Sequence, residues 1–546
     1  MTVWINQGGD GWSPPLVIDD TPAFPDIDAV RLVDLLGTGT AGILWTRNSP
    51  ARHQFLDLTG GVKPYLLREI TNNMGALTRI GYAPSTTFSL ADRQEPAAQP
   101  HPERPPRWQT PLPFPVQVVA RVEVIDEFSR TKHTTSYRYH HGYFDGVERE
   151  FRGFGLVEQW DTEEIGTVPD DQASSLATNL DAASFVPPIH TKTWFHTGVY
   201  SEGEAISRHL AAQYYGAPDE SEPVHFAGFL TTLLDDTVLP LGLTLDEERQ
   251  ACRALKGAML RQEVYGLDGT GKAEHPYTVV EQNFTIERLQ PQGDDRHAVF
   301  FTHAREALTY HYERNPADPR IQHALTLEVD AFGNVLKAMA IGYGRRPGFS
   351  PLQGDDRDKQ KQHLTTYTES DYSEHDTAAG VDWTDAHRIP LPCAVRTYEL
   401  TGLKPAADTG RFAFTELVKD DFALLTALGS TPYEKPLAPT VPGKRLIECV
   451  RRRYRRDDLS ALLPTGALQP LALPGESYKL AFTPGLLKQV YQRKDNADQV
   501  NDLLPNPAQL LAGTNGDQGG YVDLDGDGQW WIPSGRVFYS TNPADP

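Results

Sequence analysis

The sequence predicts a mainly β protein, a long succession of short strands joined by tight turns with a few inserted helices. Three observations carry that expectation. Glycine (45) and proline (43) recur throughout the 546 residues. Aromatic residues fall in short alternating runs between them, and few stretches hold apolar residues at helical spacing. At this length the chain is too long for one ordinary core, so it holds either several domains or one large closed β structure.

Taken in order, residues 30–47, VRLVDLLGTGTAGILWTR, read as strand, Asp-x-x-Gly-x-Gly turn, strand. Residues 521–533, YVDLDGDGQWWIP, repeat that arrangement. Residues 93–115, rich in proline and arginine, read as a linker or strap. In 137–160, YRYHHGYFDGVEREFRGFGLVEQW, strand alternation puts Tyr137, Tyr139, His141 and Tyr143 on one side. Gly142 and the pair Asp145-Gly146 mark turns. Val147–Phe151 reads as the next strand, with Glu148 and Glu150 on one face. Gly153 and Gly155 bracket Phe154 and allow close packing against an aromatic layer.

Helices are expected at three places. Ile206, Leu210 and Tyr214, four apart, predict one over 202–215. Thr244 followed three residues later by Glu247 is a capping box. Behind it Cys252, Leu255 and Met259 share a face, which predicts a helix over 245–262. Thr483-Pro484, a cap then a proline at the first helical position, opens a third. The stretch 296–320 reads as two strands, and 321–346 as a hairpin turning at Phe332-Gly333-Asn334. There Ala324, Thr326, Glu328 and Asp330 alternate with Leu325, Leu327 and Val329.

The composition also excludes. With 51 basic against 73 acidic residues the formal charge is −22, and such a surface repels nucleic-acid backbones. Cys252, Cys393 and Cys449 fit neither a zinc pattern nor a disulfide framework and read as buried thiols. The N-terminus, MTVWINQGGDGW, has no basic and apolar regions of a signal peptide, and no run approaches the ~20 apolar residues of a membrane helix.

The chemical motifs are weak. GLDGTGKA (266–273) nearly matches a phosphate-binding loop, but Ala273 replaces the magnesium-holding hydroxyl, and a strand rather than a helix follows; a hairpin turn is expected. RLIECVRRRYRRDD (445–458) reads as a solvated strand or as contacts to an acidic neighbour. His140-His141 lacks further metal ligands nearby. No G-x-S-x-G, H-E-x-x-H or paired C-x-x-C occurs, so no enzyme and no cofactor are expected. Asp523, Asp525 and Asp527 either hold calcium or shape a turn, and the missing fourth acid favours the turn.

Two copies of the Asp-rich loop resemble the calcium repeats of integrin-type propeller blades. In the first, Leu36 and Thr38 stand where acids would be; in the second, Trp531 stands where a further acid would fall. YRYHHGYFDGVEREFRGFG then resembles the B component (TcdB/SpvB type) of insecticidal toxin complexes, the Tc toxins. TKTWFHTG (191–198), ACRALKGAMLRQEVY (251–265), YHYERNPADPR (310–320) and DAFGNVLKAMAIGYGRR (330–346) read like segments of the same family. So do residues 455–487 and 521–540, and the similarity runs in order along nearly the whole chain.

The resemblance implies architecture, not chemistry. Residues 1–60 would be the last blade or blades of a β-propeller, and 61–115 the exit segment and linker. Residues 116–310 would be the middle/C-terminal-like region, and 311–546 a strip of RHS/YD-type hairpins. Such strips, with a C component, wind into a hollow shell around a toxic enzyme that passes through a channel-forming A component. His140, His141, Gly142, Tyr143, Asp145, Gly146, Glu148, Phe151, Gly153, Phe154 and Gly155 then build wall. The implied product is a secreted toxin component, made in a bacterial cytoplasm, with no nucleic acid or membrane insertion of its own. Without an N-terminal domain or complete propeller, the chain reads as a fragment or split gene. Two rival readings are an adhesion or carbohydrate-binding module, and a polysaccharide hydrolase using Glu148 or Glu150.

Overall fold

The computed structural model describes residues 1–22, 29–48, 51–94, 108, 110, 112–126, 128, 131–162, 187–200, 206–218, 223–346, 348–378, 380–406, 410–496, 499–513 and 518–542. They belong to two compact units, one comprising 1–199, 255–259 and 264–274, the other 200–254, 260–263 and 275–546.

The first unit opens with the short pair β1 (Thr2–Val3) and β2 (Leu16–Val17). A three-stranded antiparallel sheet follows: β3 (Ala29–Val33), β4 (Gly42–Asn48) and β5 (Ala51–Leu56). The main sheet then runs β6 (Glu69–Thr71), β7 (Ala76–Pro84), β8 (Gln117–Asp126), β9 (Thr131–Asp145), β10 (Glu150–Thr162) and β11 (Ile189–Phe195). Each pairs antiparallel with the next.

Between β7 and β8 lies α1 (Ser85–Gln94), which no sequence signal announced. Its first residue is held from both sides: the Ser85 N–H donates to the Val116 carbonyl (2.8 Å), and Val116 N–H donates to Ser85 Oγ (3.0 Å). Phe88, buried on this helix, meets the Tyr139 ring edge-on at 5.7 Å. Of the expected linker 93–115, residues 95–107 lie outside the described residues.

Strand β12 (Met259–Gly266) gives Met259 and 264–266 to the first unit and Leu260–Glu263 to the second. The second unit continues with β13 (Thr278–Gln290), β14 (Val299–His311), β15 (Arg320–Val329), β16 (Val335–Gly342) and β17 (Leu364–Tyr372). It extends through β19 (Pro392–Thr401), β21 (Gly443–Tyr454), β23 (Pro474–Phe482) and β26 (Trp530–Arg536), all antiparallel neighbours in that order. Short strands decorate it. β18 (Glu374–His375) pairs parallel with β22 (Ala467–Leu468), β20 (Ser430–Thr431) parallel with β21, and β24 (Gln492–Lys494) antiparallel with β25 (Val500–Asp502).

Helices in this unit are α2 (Pro223–Leu230), α3 (Leu245–Ala254), α4 (Gly354–Gln360), α5 (Phe414–Thr426, kinked at 419–422), α6 (Pro484–Val490) and α7 (Pro507–Leu511). The capping box forms as expected: Thr244 N–H donates to Glu247 Oε2 (2.9 Å) and Glu247 N–H to Thr244 Oγ1 (3.3 Å). The helix ends at Ala254, not 262, because Gly257 turns the chain at φ +83° and Met259 already opens β12. α6 starts where predicted, with the Thr483 hydroxyl accepting Leu486 N–H (3.1 Å).

Two expectations fail. Residues 206–210 are turns and Ala211–Gln213 a single 3₁₀ turn, not a helix over 202–215, while 202–205 lie outside the described residues. Leu210 and Tyr214 are buried all the same, so their spacing reflects burial of a folded loop. Likewise 296–320 contains one continuous strand, β14, before β15 begins at Arg320. The next hairpin is as read: Asp330 accepts the Phe332 and Asn334 N–H groups (2.9 and 2.8 Å), and Gly333 sits at φ +85°.

Leu325 and Leu327 point into the main core of the second unit with Met339, Ile341, Tyr367 and Leu400. Phe412, with Leu417 and Leu425 of α5, covers them. The alternating partner Ala324 is exposed, so the two-residue period was a true guide to the buried face. The ladders nevertheless carry irregularities, one of them at Leu327 itself. Register shifts interrupt β7–β8, β9–β10, β13–β14, β15–β16, β17–β19, β19–β21, β21–β23 and β23–β26. Each places an extra residue on one strand, which bends it and increases the local twist.

A row of buried charge fastens the loops 206–218 and 231–237 within this unit. Arg261 lies between Glu263 (2.6 Å) and Glu281 (3.3 Å), over the Tyr214 ring. Tyr215 N–H donates to Glu263 (2.8 Å) and Leu234 N–H to Glu281 (2.7 Å). Burial pushes the Glu281 carboxyl above its ordinary range against the pull of Arg261. One strand further, Asn283 donates to Glu306 (2.8 Å) and to the Asp235 carbonyl (2.8 Å).

Candidate functional site

The β9–β10 hairpin gathers most of the residues singled out in the sequence. Asp145 makes the turn: its Oδ1 accepts the Val147 and Glu148 N–H groups, both at 2.9 Å. Residues 146–149 form that turn, so Glu148 sits in it with Gly146, and β10 begins only at Glu150. The expected strand 147–151, with Glu148 and Glu150 on one face, is therefore corrected.

The alternation is corrected too. His141 adopts φ +56° and breaks the side-to-side order of Tyr137, Tyr139, His141 and Tyr143. Opposite it the register skips: Phe151 pairs with Phe144 but Phe154 with Gly142, leaving Arg152 and Gly153 as a bulge. Gly153 stands at φ +98°, conformationally required there rather than packed against an aromatic ring. Close packing is the task of Gly142, where a Cβ would lie 2.9 Å from Trp108 and 3.1 Å from both Leu112 and Phe154. The aromatic layer exists. Phe154 meets Tyr139 at 4.9 Å, Phe151 at 5.5 Å and Trp108 at 6.1 Å, and Gly155 is buried beside it in sequence. Burial pushes the Tyr139 hydroxyl up to about 12.

The bulge aims Arg152 inward, which sequence reasoning missed. Its side chain, 3% exposed, pairs with Asp145 (2.9 Å) and Glu150 (3.4 Å) and donates to the Gly198 carbonyl (2.7 Å). The guanidinium also lies 5.8 Å from the Tyr143 ring. Glu150 is further bound by Lys256 (2.8 Å). Glu150 is thus tied into the same ion-pair network as Arg152.

His140 was also underread. It is fully buried, with Nδ1 2.7 Å from Asp92 Oδ2 and Nε2 3.0 Å from Glu158 Oε1. Glu158 Oε2 in turn lies 2.6 Å from His190 Nε2, and the His190 ring stacks on Trp160 at 4.4 Å. Trp108 Nε1–H donates to Asp92 (2.7 Å). Asp92 is 48 residues from its histidine, so no local spacing could have signalled the contact.

The Asp-x-x-Gly-x-Gly loops share one construction. Asp523 accepts the N–H groups of Gly526 (2.9 Å), Asp527 (3.2 Å) and Gly528 (3.1 Å). Asp34 does the same for Thr38 (2.9 Å) and Gly39 (2.7 Å), without any further acid in its loop. Asp525 pairs with Arg451, whose guanidinium lies over Trp531, and Asp527 accepts from Gln529. The three carboxylates thus face different partners, and among the described residues no cluster of His, Cys, Asp and Glu could hold a metal.

The remaining motifs resolve as packing or turns. Asp268 accepts Thr270 N–H and hydroxyl, and Gly269 turns at φ +70° within GLDGTGKA. In the basic strand, Arg445 pairs with Glu399 (2.6 Å), and Glu448 is bound by Lys479. Cys252, Cys393 and Cys449 are buried and none is in a disulfide. Among the described residues no helix is long and apolar enough to cross a membrane.

Two protein-family models match the sequence: insecticide toxin TcdB middle/N-terminal region over residues 9–198, and middle/C-terminal region over 250–382. Among solved structures, a TcdB2–TccC3–Cdc42 crystal structure matches with TM-score 0.68 and 26% identity, covering 99% of this chain and 24% of that one. A TcdB2–TccC3 crystal structure gives 0.64, 27%, 99% and 24%. The Photorhabdus luminescens Tc holotoxin pore gives 0.66, 25%, 99% and 23%. The chain therefore spans about a quarter of the solved chains it resembles. No curated protein matches it.

Proposed function

The chain belongs to the TcdB-type middle region of insecticidal toxin complexes, and from that premise we propose that it forms part of their β-shell. In this reading it is a non-catalytic wall segment of a secreted assembly. With a C component it encloses a toxic enzyme, which leaves through a channel-forming A component. One observation carries the proposal: 99% of the chain aligns, at TM-score 0.68, with a chain of the TcdB2–TccC3–Cdc42 crystal structure. The physical reading agrees, since the hairpins are stiffened by buried ion pairs and aromatic contacts. That residues 1–60 are the end of a propeller belongs to the same proposal; β3–β5 form a three-stranded antiparallel sheet there, and the middle/N-terminal family model already matches from residue 9.

The test is co-expression with a C-type partner, read by size-exclusion chromatography with light scattering. A discrete complex with the partner is the expected result. A heat-stable monomer indifferent to the partner would sink the proposal and favour a binding module.

A further inference from the structure

We propose that the first unit holds one proton as a structural ligand: His140 is an imidazolium clamped between Asp92 and Glu158, and this proton fastens α1 to the β9–β10 hairpin. The geometry supports it. Nδ1 is hydrogen-bonded to Asp92 Oδ2 at 2.7 Å, Nε2 lies 3.0 Å from Glu158 Oε1 as an ion-pair contact that falls short of hydrogen-bond alignment, and the side chain is 0% exposed. A neutral imidazole has one N–H, so one carboxylate would meet a ring lone pair where no water screens the repulsion. The doubly protonated ring satisfies both; the alternative, a neutral ring beside a protonated carboxyl, runs against the lowered Glu158 pKa.

The surrounding charges do not remove that need. From α1 comes Asp92, 1% exposed, and from β9 Arg138, whose guanidinium stays 3.8 Å from Asp92. From β10 comes Glu158, and from β11 His190 on its second oxygen, with Lys192 nearby. Trp108 adds a neutral donor to the Asp92 oxygen that also binds His140. Burial opposes charge on both groups, yet the mutual hydrogen bonds hold the His140 pKa above its ordinary value and the Glu158 pKa below its own. Asp92 lies on α1 and is its one acidic link to this cluster, so the proton joins helix to hairpin. This inference stands apart from the shell reading.

The experiment is nuclear magnetic resonance on the full chain carrying ¹⁵N-imidazole histidine, titrated from pH 5 to 10. His140→Gln identifies the signal. Both ring nitrogens of His140 should be protonated at pH 7.5, well above the ordinary histidine pKa of ~6.5. Asp92→Asn and Glu158→Gln should each weaken proton affinity about tenfold or more, the usual effect of losing a contacting opposite charge. Amide exchange in 85–94 should rise beyond base catalysis over the pH range in which the wild-type ring loses its proton. A singly protonated ring at pH 7.5 in the wild-type chain overturns the proposal whether or not the variants fold. So does a titration that neither substitution moves.

Discussion

Arg152 shows how much of this fold rests on single side chains that the sequence presents as ordinary surface charge. Its guanidinium is enclosed with Asp145, itself almost fully buried. Arg152→Met keeps the bulk but strands that carboxylate, so unfolding free energy should fall by about 3–5 kcal/mol. Denaturant titration of the variant measures it, and Arg152→Lys should recover only part, having no planar fork. His140 and Glu158 make a second prediction, of opposite sign at the two ends of the pH scale. The His140 pKa is raised, so its contribution is complete below the unfolded value of ~6.5 and is lost as pH climbs through the folded one. The Glu158 pKa is lowered, so its contribution is complete above ~4.3 and is lost as pH falls through the folded one. Stability of the first unit should therefore plateau between about pH 5 and 6.5 and decline on both sides, with Glu158→Gln removing the acid limb.

At the scale of elements, the Asp-rich loops separate two roles for one motif. Asp523→Ala frees three backbone N–H groups and should cost about 1–2 kcal/mol. Asp525→Ala loses an exposed pair with Arg451 and should stay within about 1 kcal/mol. If the loop is a turn, micromolar calcium leaves both melting temperatures unmoved; binding abolished by Asp525→Ala would make it a metal site. Legibility follows the range of the interactions. α3 and α6 were readable because their caps lie three residues from the groups they satisfy. α1 was not, because Ser85 is tied to Val116 and Asp92 to His140, far along the chain. α5 was hidden by its kink, where Asp420, Asp421 and Phe422 all take left-handed φ. The inward direction of Leu325 and Leu327 was plain, whereas the bulge at 152–153 obeys no two-residue period and had to be seen.

At the scale of the whole molecule, each unit has a buried network of its own: Arg152 and His140 in one, the core around Leu417 in the other. Calorimetry should accordingly resolve two transitions. Arg152→Met should lower only one. Leu417→Ala, at a fully buried site, should lower only the other, by about 2–5 kcal/mol. A single transition moved by both substitutions would show that the units unfold together. The recurring register shifts have a consequence for how such a chain can change length. In a plain ladder, losing one residue turns every following side chain inside out. At a bulge the surplus residue is the one that can be dropped. Between Asn283–Glu306 and Phe284–Ala304 that residue is Arg305. Its removal leaves the pairings on either side in step, while removal of Leu308, three places on, would throw them out. The bulges are thus splice points, where a strand can gain or shed a residue without the sheet reversing its faces.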